Sequence, residues 1–460
     1  MDRGLDGGGA SLTQGSGQSN PRAAASAVRS GAARFVVGAL WLPPLAFFAI
    51  FYFYPLVRIT TLSFARAEGP ALGAFLEAAG STAALRALRF TLWQASVSTL
   101  LTLGVGLPGA YFLARYTFRG KAAIRSLTAV PFVLPTLVVA AAFDALAGPR
   151  GLVNQALMAG LGLTSPPLHF MNTLTAILVA HVFYNTTIVL RLVGDFWSHL
   201  DPELTGAARV LGASRRQAAV GVTAPLLAPA VLAAALLVFI FDFTSFGVIL
   251  VMGGPRFATL EVEIYYQTVS LFNLPLAASL SVVQLAATLG LTVIYTHVAH
   301  RLGRPLDLRS RRSAERPLVG RRARVAAMAV LGGLLLLLVA PLAALVARSV
   351  MPVARDAAAG PTLDYFRALF ANPRQSAFYA SPIAAVAISL AYAGATVLLA
   401  LAFGLPASWI LARRPRGRAV RLLDPLLMLP LGTSAVTLGL GFLVALNRPP
   451  VDLRASPLLV

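Results

Sequence analysis

Apolar residues run along this chain in long stretches that few polar positions interrupt. Nine of them, roughly 35–57, 90–114, 124–147, 173–195, 223–252, 277–299, 325–347, 384–412 and 419–445, approach or exceed the length of a membrane crossing, which takes about 20 apolar residues in an α-helix. Strict alternation is missing, and the runs are too long for barrel strands of about ten residues. Only helices and closed barrels satisfy their own backbone in lipid. The pattern therefore predicts an all-α polytopic membrane protein with about nine transmembrane helices.

Composition agrees with the pattern. Of 460 residues, 57% are hydrophobic and 12% are charged, against about 25% charged in soluble domains. Such a chain lacks the charge to cover a water-facing surface. Lys and Arg number 38 against 17 Asp and Glu, a net charge of +21. In a membrane protein that excess marks cytoplasmic loops and contact with anionic lipid rather than nucleic acid. Arg115, Arg119, Lys121 and Arg125 follow the second run, and Arg209, Arg215 and Arg216 the fourth. Arg301 to Arg324 follow the sixth, and Arg413 to Arg421 the eighth. The loops between hold less, with Arg150 in 148–172 and Arg256 in 253–276; 58–88 is a weaker case with Arg58, Arg66 and Arg86. The alternation predicts a cytoplasmic N-terminus. Residues 1–33 read as a disordered cytoplasmic tail, and the first run as an uncleaved anchor, since it follows a long tail. With zero cysteines, disulfides, thiolate metal sites and a Cys nucleophile are excluded.

The Arg-rich stretch 301–324 also divides the chain. Gly106-Leu107-Pro108 with Leu113-Ala114-Arg115 recurs as Gly404-Leu405-Pro406 with Leu411-Ala412-Arg413. Arg119-Gly120-Lys121 recurs as Arg416-Gly417-Arg418, and Pro131 and Phe143 as Pro430 and Phe442. A near-constant offset on the same side of the membrane reads as duplication. The expected organisation is a first half over 34–300 with six spans, a cytoplasmic linker over 301–324, and an incomplete second half over 325–460 with three. Two six-helix halves would make twelve spans, so the sequence reads as truncated near Val460.

The loop after the fourth run is the most informative segment. Asp201 or Pro202 can open a helix, with Glu203 in its first turn. Gly212 suits a C-terminal cap and Ser214 the N-cap of a second short helix. Ala207 and Ala208 sit one turn from Val210 and Leu211, forming an apolar knob suited to a partner's groove. Residues 200–225 resemble the EAA loop of binding-protein-dependent ABC importer permeases. The matching positions are Gly206-Ala207-Ala208, Gly212, and Val222-Thr223-Ala224-Pro225. The family's glutamate is Gly206 here, with Glu203 one turn earlier. The resemblance implies an ATPase-coupling loop that includes Glu203, Ala207, Ala208, Gly212, Val222 and Pro225.

Three further segments look like the ferric-iron and thiamine branch, whose permeases fuse two homologous halves. They are Gly148-Pro149-Arg150-Gly151-Leu152, Phe243-Thr244-Ser245-Phe246-Gly247, and Gly253-Gly254-Pro255-Arg256 with Leu260-Glu261-Val262-Glu263-Ile264-Tyr265. The resemblance implies a type I ABC importer-like fold in a bacterial inner membrane. Its implied partners are two copies of a cytoplasmic ABC ATPase and an external substrate-binding protein. A second EAA loop would fall near residue 502, by the repeat offset. Ferric iron is the first substrate it suggests, thiamine the second, with polyamine and phosphonate behind.

Ionisable groups within spans are costly and usually functional. Asp242, with Thr244 and Ser245, is the leading pathway candidate, against the alternative of a buried interhelical hydrogen bond. Asn185 shares a face with His181 and, with Thr186 and Thr187, can glue helices. Arg191 and Asp195, four residues apart, are expected to pair near the inner surface. Asp144 ends the third run, and Asp424 is interfacial. An ion-coupled transporter would need several intramembrane carboxylates, and a membrane-embedded enzyme clustered histidines; His169, His181, His199, His297 and His300 are scattered. No phosphate-binding Gly-x-x-x-x-Gly-Lys-Ser/Thr motif occurs, so an ATPase would be a separate chain. No catalytic residue, metal or cofactor is expected.

Overall fold

The structure, a computed structural model, describes residues 42–64, 71–302, 315–351, 361–370, 381–413, 430 and 433–446. The expected tail over 1–33, linker residues 303–314, Asp424 and residues 419–429 of the ninth run lie outside the described residues.

Among the described residues, eight helical stretches are long and apolar enough to cross a membrane. They contain α1 (Leu42–Phe64), α2 (Thr82–Arg115), α3 (Thr136–Ala147) and α4 (Leu174–His199). Two loop helices follow, α5 (Pro202–Val210) and α6 (Arg215–Ala218), then α7 (Ala224–Phe243), α8 (Leu260–Tyr265) and α9 (Leu274–Leu302). Beyond the linker come α10 (Arg321–Val350), α11 (Pro382–Arg413) and the shorter apolar α12 (Ala435–Ala445). A parallel pair joins β1 (Tyr116–Thr117) to β2 (Arg316–Pro317). It ties the end of the linker to the loop after α2, where Lys121 Nζ meets Glu315 Oε1 at 2.9 Å.

Helices α2 and α4 form the frame. Their contact is close because small residues line it, as lipid-embedded packing requires. A Cβ added at Gly106 would stand 2.7 Å from Val189 Cβ, and one at Gly109 would stand 2.9 Å from Leu190 Cδ2. The inward face of α2 continues in polar residues, Thr91, Gln94, Ser98 and Thr102, all fully buried.

Two expected spans are not continuous. The run 124–147 is split into Lys121–Leu127, Val130–Val133 and α3. Leu134 and Pro135 are extended between them. Pro135 has no N–H to donate and disfavours a helical conformation at the residue before it. After Gly148 a further helix, Leu152–Leu161, occupies part of what reads in sequence as a loop. The run 223–252 ends its α-helix at Phe243 and resumes as a π-helical turn over Ile249–Gly253.

The helices beyond the linker pack on those before it. Helix α10 lies on α3 and helix α12 lies on α1. Leu331, Leu334 and Leu338 of α10 join Val139 and Phe143 in one apolar core. Leu440 of α12 joins Ile59, Phe243 and Ile264 in another. The repeated prolines occupy matching places: Pro108 and Pro406 lie inside α2 and α11, each seven residues before the terminal Arg115 or Arg413.

The α2–α4 contact predicts a contrast between two glycines. Gly106→Leu, forced against Val189, lowers the unfolding midpoint of the detergent-solubilised protein by several degrees, as overpacking does. Gly104→Leu leaves it unchanged, because a Cβ there meets nothing within 4 Å. Equal effects of the two would contradict the contact.

Candidate functional site

The loop between α4 and α7 is built by its caps. Asp201 accepts from Glu203 N at 2.9 Å and Pro202 opens α5. A capping carboxylate of this kind contributes about 1 kcal/mol. Gly212 reverses the chain at φ +93°, a region that L side chains rarely adopt. Ser214 then caps α6 through a full capping box with Gln217. Val210 and Leu211 are each 88% exposed at the tip. Ala207 and Gly206 are exposed beside them, and Glu203 lies on the first turn. Thr205 and Thr223 hydroxyls, 3.3 Å apart, hold α5 against the chain leading into α7.

Here the structure corrects an expectation. The second loop helix is not a separate piece. From Arg215 the helix continues through a π-helical turn, Ala219–Thr223, directly into α7, a stretch of 29 residues to Phe243. The wide turn sits just before Pro225, which has no N–H for an intrahelical bond. Val222 and Pro225 are thus part of the fifth span's shaft, which is about 43 Å long at 1.5 Å per residue.

The far end of that shaft enters a buried polar cluster. Asp242, fully buried, accepts from Asn185 Nδ2 at 2.7 Å through Oδ1, and its backbone carbonyl accepts from Gln94 Nε2 at 2.8 Å. His181 bridges the cluster, with Nδ1 3.0 Å from Ser98 Oγ and Nε2 2.9 Å from Ser245 Oγ. Beside it lies a cavity of about 240 Å³, lined by His181, Asn185, Ser245, Thr136 and aromatic side chains at the interruptions of the third and fifth spans. Of the four candidate pathway residues, Asn185 and Ser245 line this cavity. Asp242 stands behind them, and Thr244 instead bonds back to Ile240 O at 2.9 Å within its own helix. Asp242 Oδ2 and Gln94 Oε1 are buried without a hydrogen-bond partner.

Asp195 pairs with Arg125 from the segment after β1; Arg191, the partner expected from the sequence, lies with them on the wall of a cavity of about 260 Å³. Asp144 lies at the end of α3, its carboxylate folded over Gly148. Among the described residues, no group of three or more His, Asp or Glu could hold a metal ion.

Sequence reasoning missed Gln94 and passed over Glu261. The polar stripe Thr91, Gln94, Ser98, Thr102, at helical spacing within an apolar run, was the available signal. Glu261 is fully buried. It accepts from Gln284 Nε2 of α9 at 2.5 Å and from Ser434 Oγ, the N-cap of α12. It therefore ties α8 to both α9 and α12. Burial pushes its carboxyl from an ordinary 4.5 up to about 8, against the opposing hydrogen bond from Ser434.

Residues 106–304 match the family model described as binding-protein-dependent transport system inner membrane component. A molybdenum transport system permease of Azotobacter vinelandii is 34% identical over 184 residues, covering 39% of this chain and 79% of that one. A permease of a 2-aminoethylphosphonate transport system from Salmonella typhi is 27% identical over 266 residues, covering 57% and 92% respectively. A thiamine transport system permease of Brucella abortus is 33% identical over 211 residues, 45% of this chain and 38% of that one. The chain belongs to the binding-protein-dependent transport system inner membrane component family. It is a multi-pass inner-membrane permease of the ABC importer class, a transport component rather than an enzyme.

The burial of Glu261 predicts that the contact between α8 and α12 depends on pH. A carboxyl whose folded value is raised contributes fully below about pH 4.5, and that contribution is lost as pH rises through about 8. Thermal unfolding of the solubilised protein should therefore fall in midpoint across this window. Glu261→Gln, which keeps the shape and an acceptor, flattens that slope; an unchanged slope in the variant would assign the dependence elsewhere.

Proposed function

We propose that this permease couples ATP hydrolysis by two cytoplasmic ABC ATPases to import of a solute handed over by an external binding protein. One observation carries this reading: α6, which follows the Gly212 turn, is continuous through one helical shaft with the buried cluster around Asp242. A push on the exposed Val210–Leu211 tip would be delivered to the interrupted segments of the third and fifth spans. There the cavity lined by Asn185, His181 and Ser245 offers polar partners to a passing solute. The N-terminus then faces the cytoplasm. The division into halves at 34–300 and 325–460 is supported by the reciprocal packing of α10 and α12. Alternating access follows from rocking one half against the other.

For the substrate, thiamine and a phosphonate are the classes that both the sequence resemblance and a relative's name bring forward. The thiamine permease is the more identical of those two relatives, so thiamine is the first reading. Ferric iron, which the same three segments suggest alongside thiamine, is the second. Proteoliposomes carrying the permease, its ATPase and the neighbouring binding protein should accumulate labelled thiamine when ATP is added. Accumulation of ferric iron or 2-aminoethylphosphonate would replace that substrate, and no ATP-dependent uptake of any of them would overturn the reading.

The coupling role predicts the behaviour of Gly212→Val. Left-handed backbone costs an L residue about 1–2 kcal/mol, and β-branching adds to it, so the turn rearranges. ATPase co-purification drops about tenfold, as that cost implies, while the amount inserted in membranes stays normal. Unchanged co-purification and uptake would remove the loop from coupling.

A further inference from the structure

A second cavity, of about 330 Å³, lies where the coupling loop meets the ends of α2 and α4. Four guanidinium-bearing residues line it: Arg115 at the end of α2, Arg209 of α5, Arg215 of α6 and Arg316 of β2. No carboxylate is among its lining residues. Arg115 and Arg316 are close enough to repel one another, and Asp201, which offers Arg115 a counter-charge, stays outside the lining. Glu315, next to Arg316, is turned to Lys121. Trp197 forms one wall, its indole Nε1 buried with no hydrogen-bond acceptor. Gly206 forms another, and a Cβ there would meet nothing within 4 Å.

Four cations around one concavity, an orphaned N–H donor and an aromatic wall at the membrane interface call for an anion with several acceptor oxygens. We propose that this cavity binds a phosphate group, that of an anionic phospholipid headgroup at the ends of α2 and α4. Guanidinium suits phosphate by its planar fork, and basic pockets at the cytoplasmic ends of spans suit anionic headgroups. The walls come from the coupling loop, the α2–α4 frame and the linker end, so the bound phosphate bridges all three. Only the choice of leaflet rests on the orientation proposed above; binding in micelles does not.

The test uses the purified full chain in neutral-detergent micelles. Phosphatidylglycerol, phosphatidylcholine and inorganic phosphate are added separately, and retained lipid is read by native mass spectrometry alongside the unfolding midpoint. Phosphatidylglycerol should be retained over phosphatidylcholine and should raise the midpoint. Arg209→Gln and Arg316→Gln should each weaken retention roughly fivefold, the worth of one basic side chain near such a headgroup. Gly206→Glu, in a helix that tolerates Glu better than Gly, places a carboxylate beside the cavity and should weaken it further without loss of folding. Stabilisation by inorganic phosphate but not by phosphatidylglycerol, lost in the same variants, supports the site with free phosphate as its source. No binding of either overturns the proposal. So does binding that the variants leave unchanged, or variants that weaken only ATPase association, which would give the cavity to the ATPase.

Discussion

Non-helical backbone at bilayer depth has no water to bond, so every interruption of a span must find a partner within the protein. The fold depends on how this chain meets that constraint. Tyr184 donates to Leu134 O where the third span is interrupted, and Thr187 donates to Thr128 O at the break six residues earlier. Gln94 donates to Asp242 O at the end of α7, and Thr91 accepts from Leu260 N where α8 begins. Asn154 spans the far loop, donating to Gly148 O and Leu168 O and accepting from Leu168 N. The donors and acceptors for the span interruptions sit on α2 and α4, the two helices whose glycines allow the closest approach. The frame is therefore also the set of clamps.

The same clamps fix the far end of a rigid element. The shaft from Arg215 to Phe243 carries the Gly212 loop at one end and Asp242 at the other. An isolated interhelical hydrogen bond in a membrane contributes only about 0.6 kcal/mol on average. A cluster of several at one point holds position while remaining able to exchange partners. The interruption after Phe243 and the cavity beside it are where such an exchange would open space.

Much of this was legible in the residues. Apolar run length marked the spans, and Asp201, Pro202, Gly212 and Ser214 marked the loop's caps, because capping is local chemistry. Interruptions of spans are harder to read. Hydropathy is the same for a continuous helix and for two pieces joined by Leu134-Pro135, although that proline was itself a cue. The fusion of α6 with α7 escaped because the short helix capped by Ser214 and the apolar run from 223 read as two elements, and a π-helical turn joins them. Partners across the sequence were not legible at all. Asp195 takes Arg125, 70 residues away, and Glu261 reaches Ser434, 173 residues away. Asn185, His181 and Asp242 could be nominated as polar residues in lipid, and Gln94 by its polar stripe, but which of them meet shows only through packing.

The central claim is that the Val210–Leu211 tip is the cytoplasmic contact of an ATPase. With no native cysteine, Leu211→Cys provides a single thiol at that tip for a membrane-impermeant maleimide. The account predicts labelling in inside-out vesicles, none in right-side-out vesicles or spheroplasts, and protection when the ATPase is bound. Labelling from the outer face, or labelling that bound ATPase leaves unchanged, would contradict it.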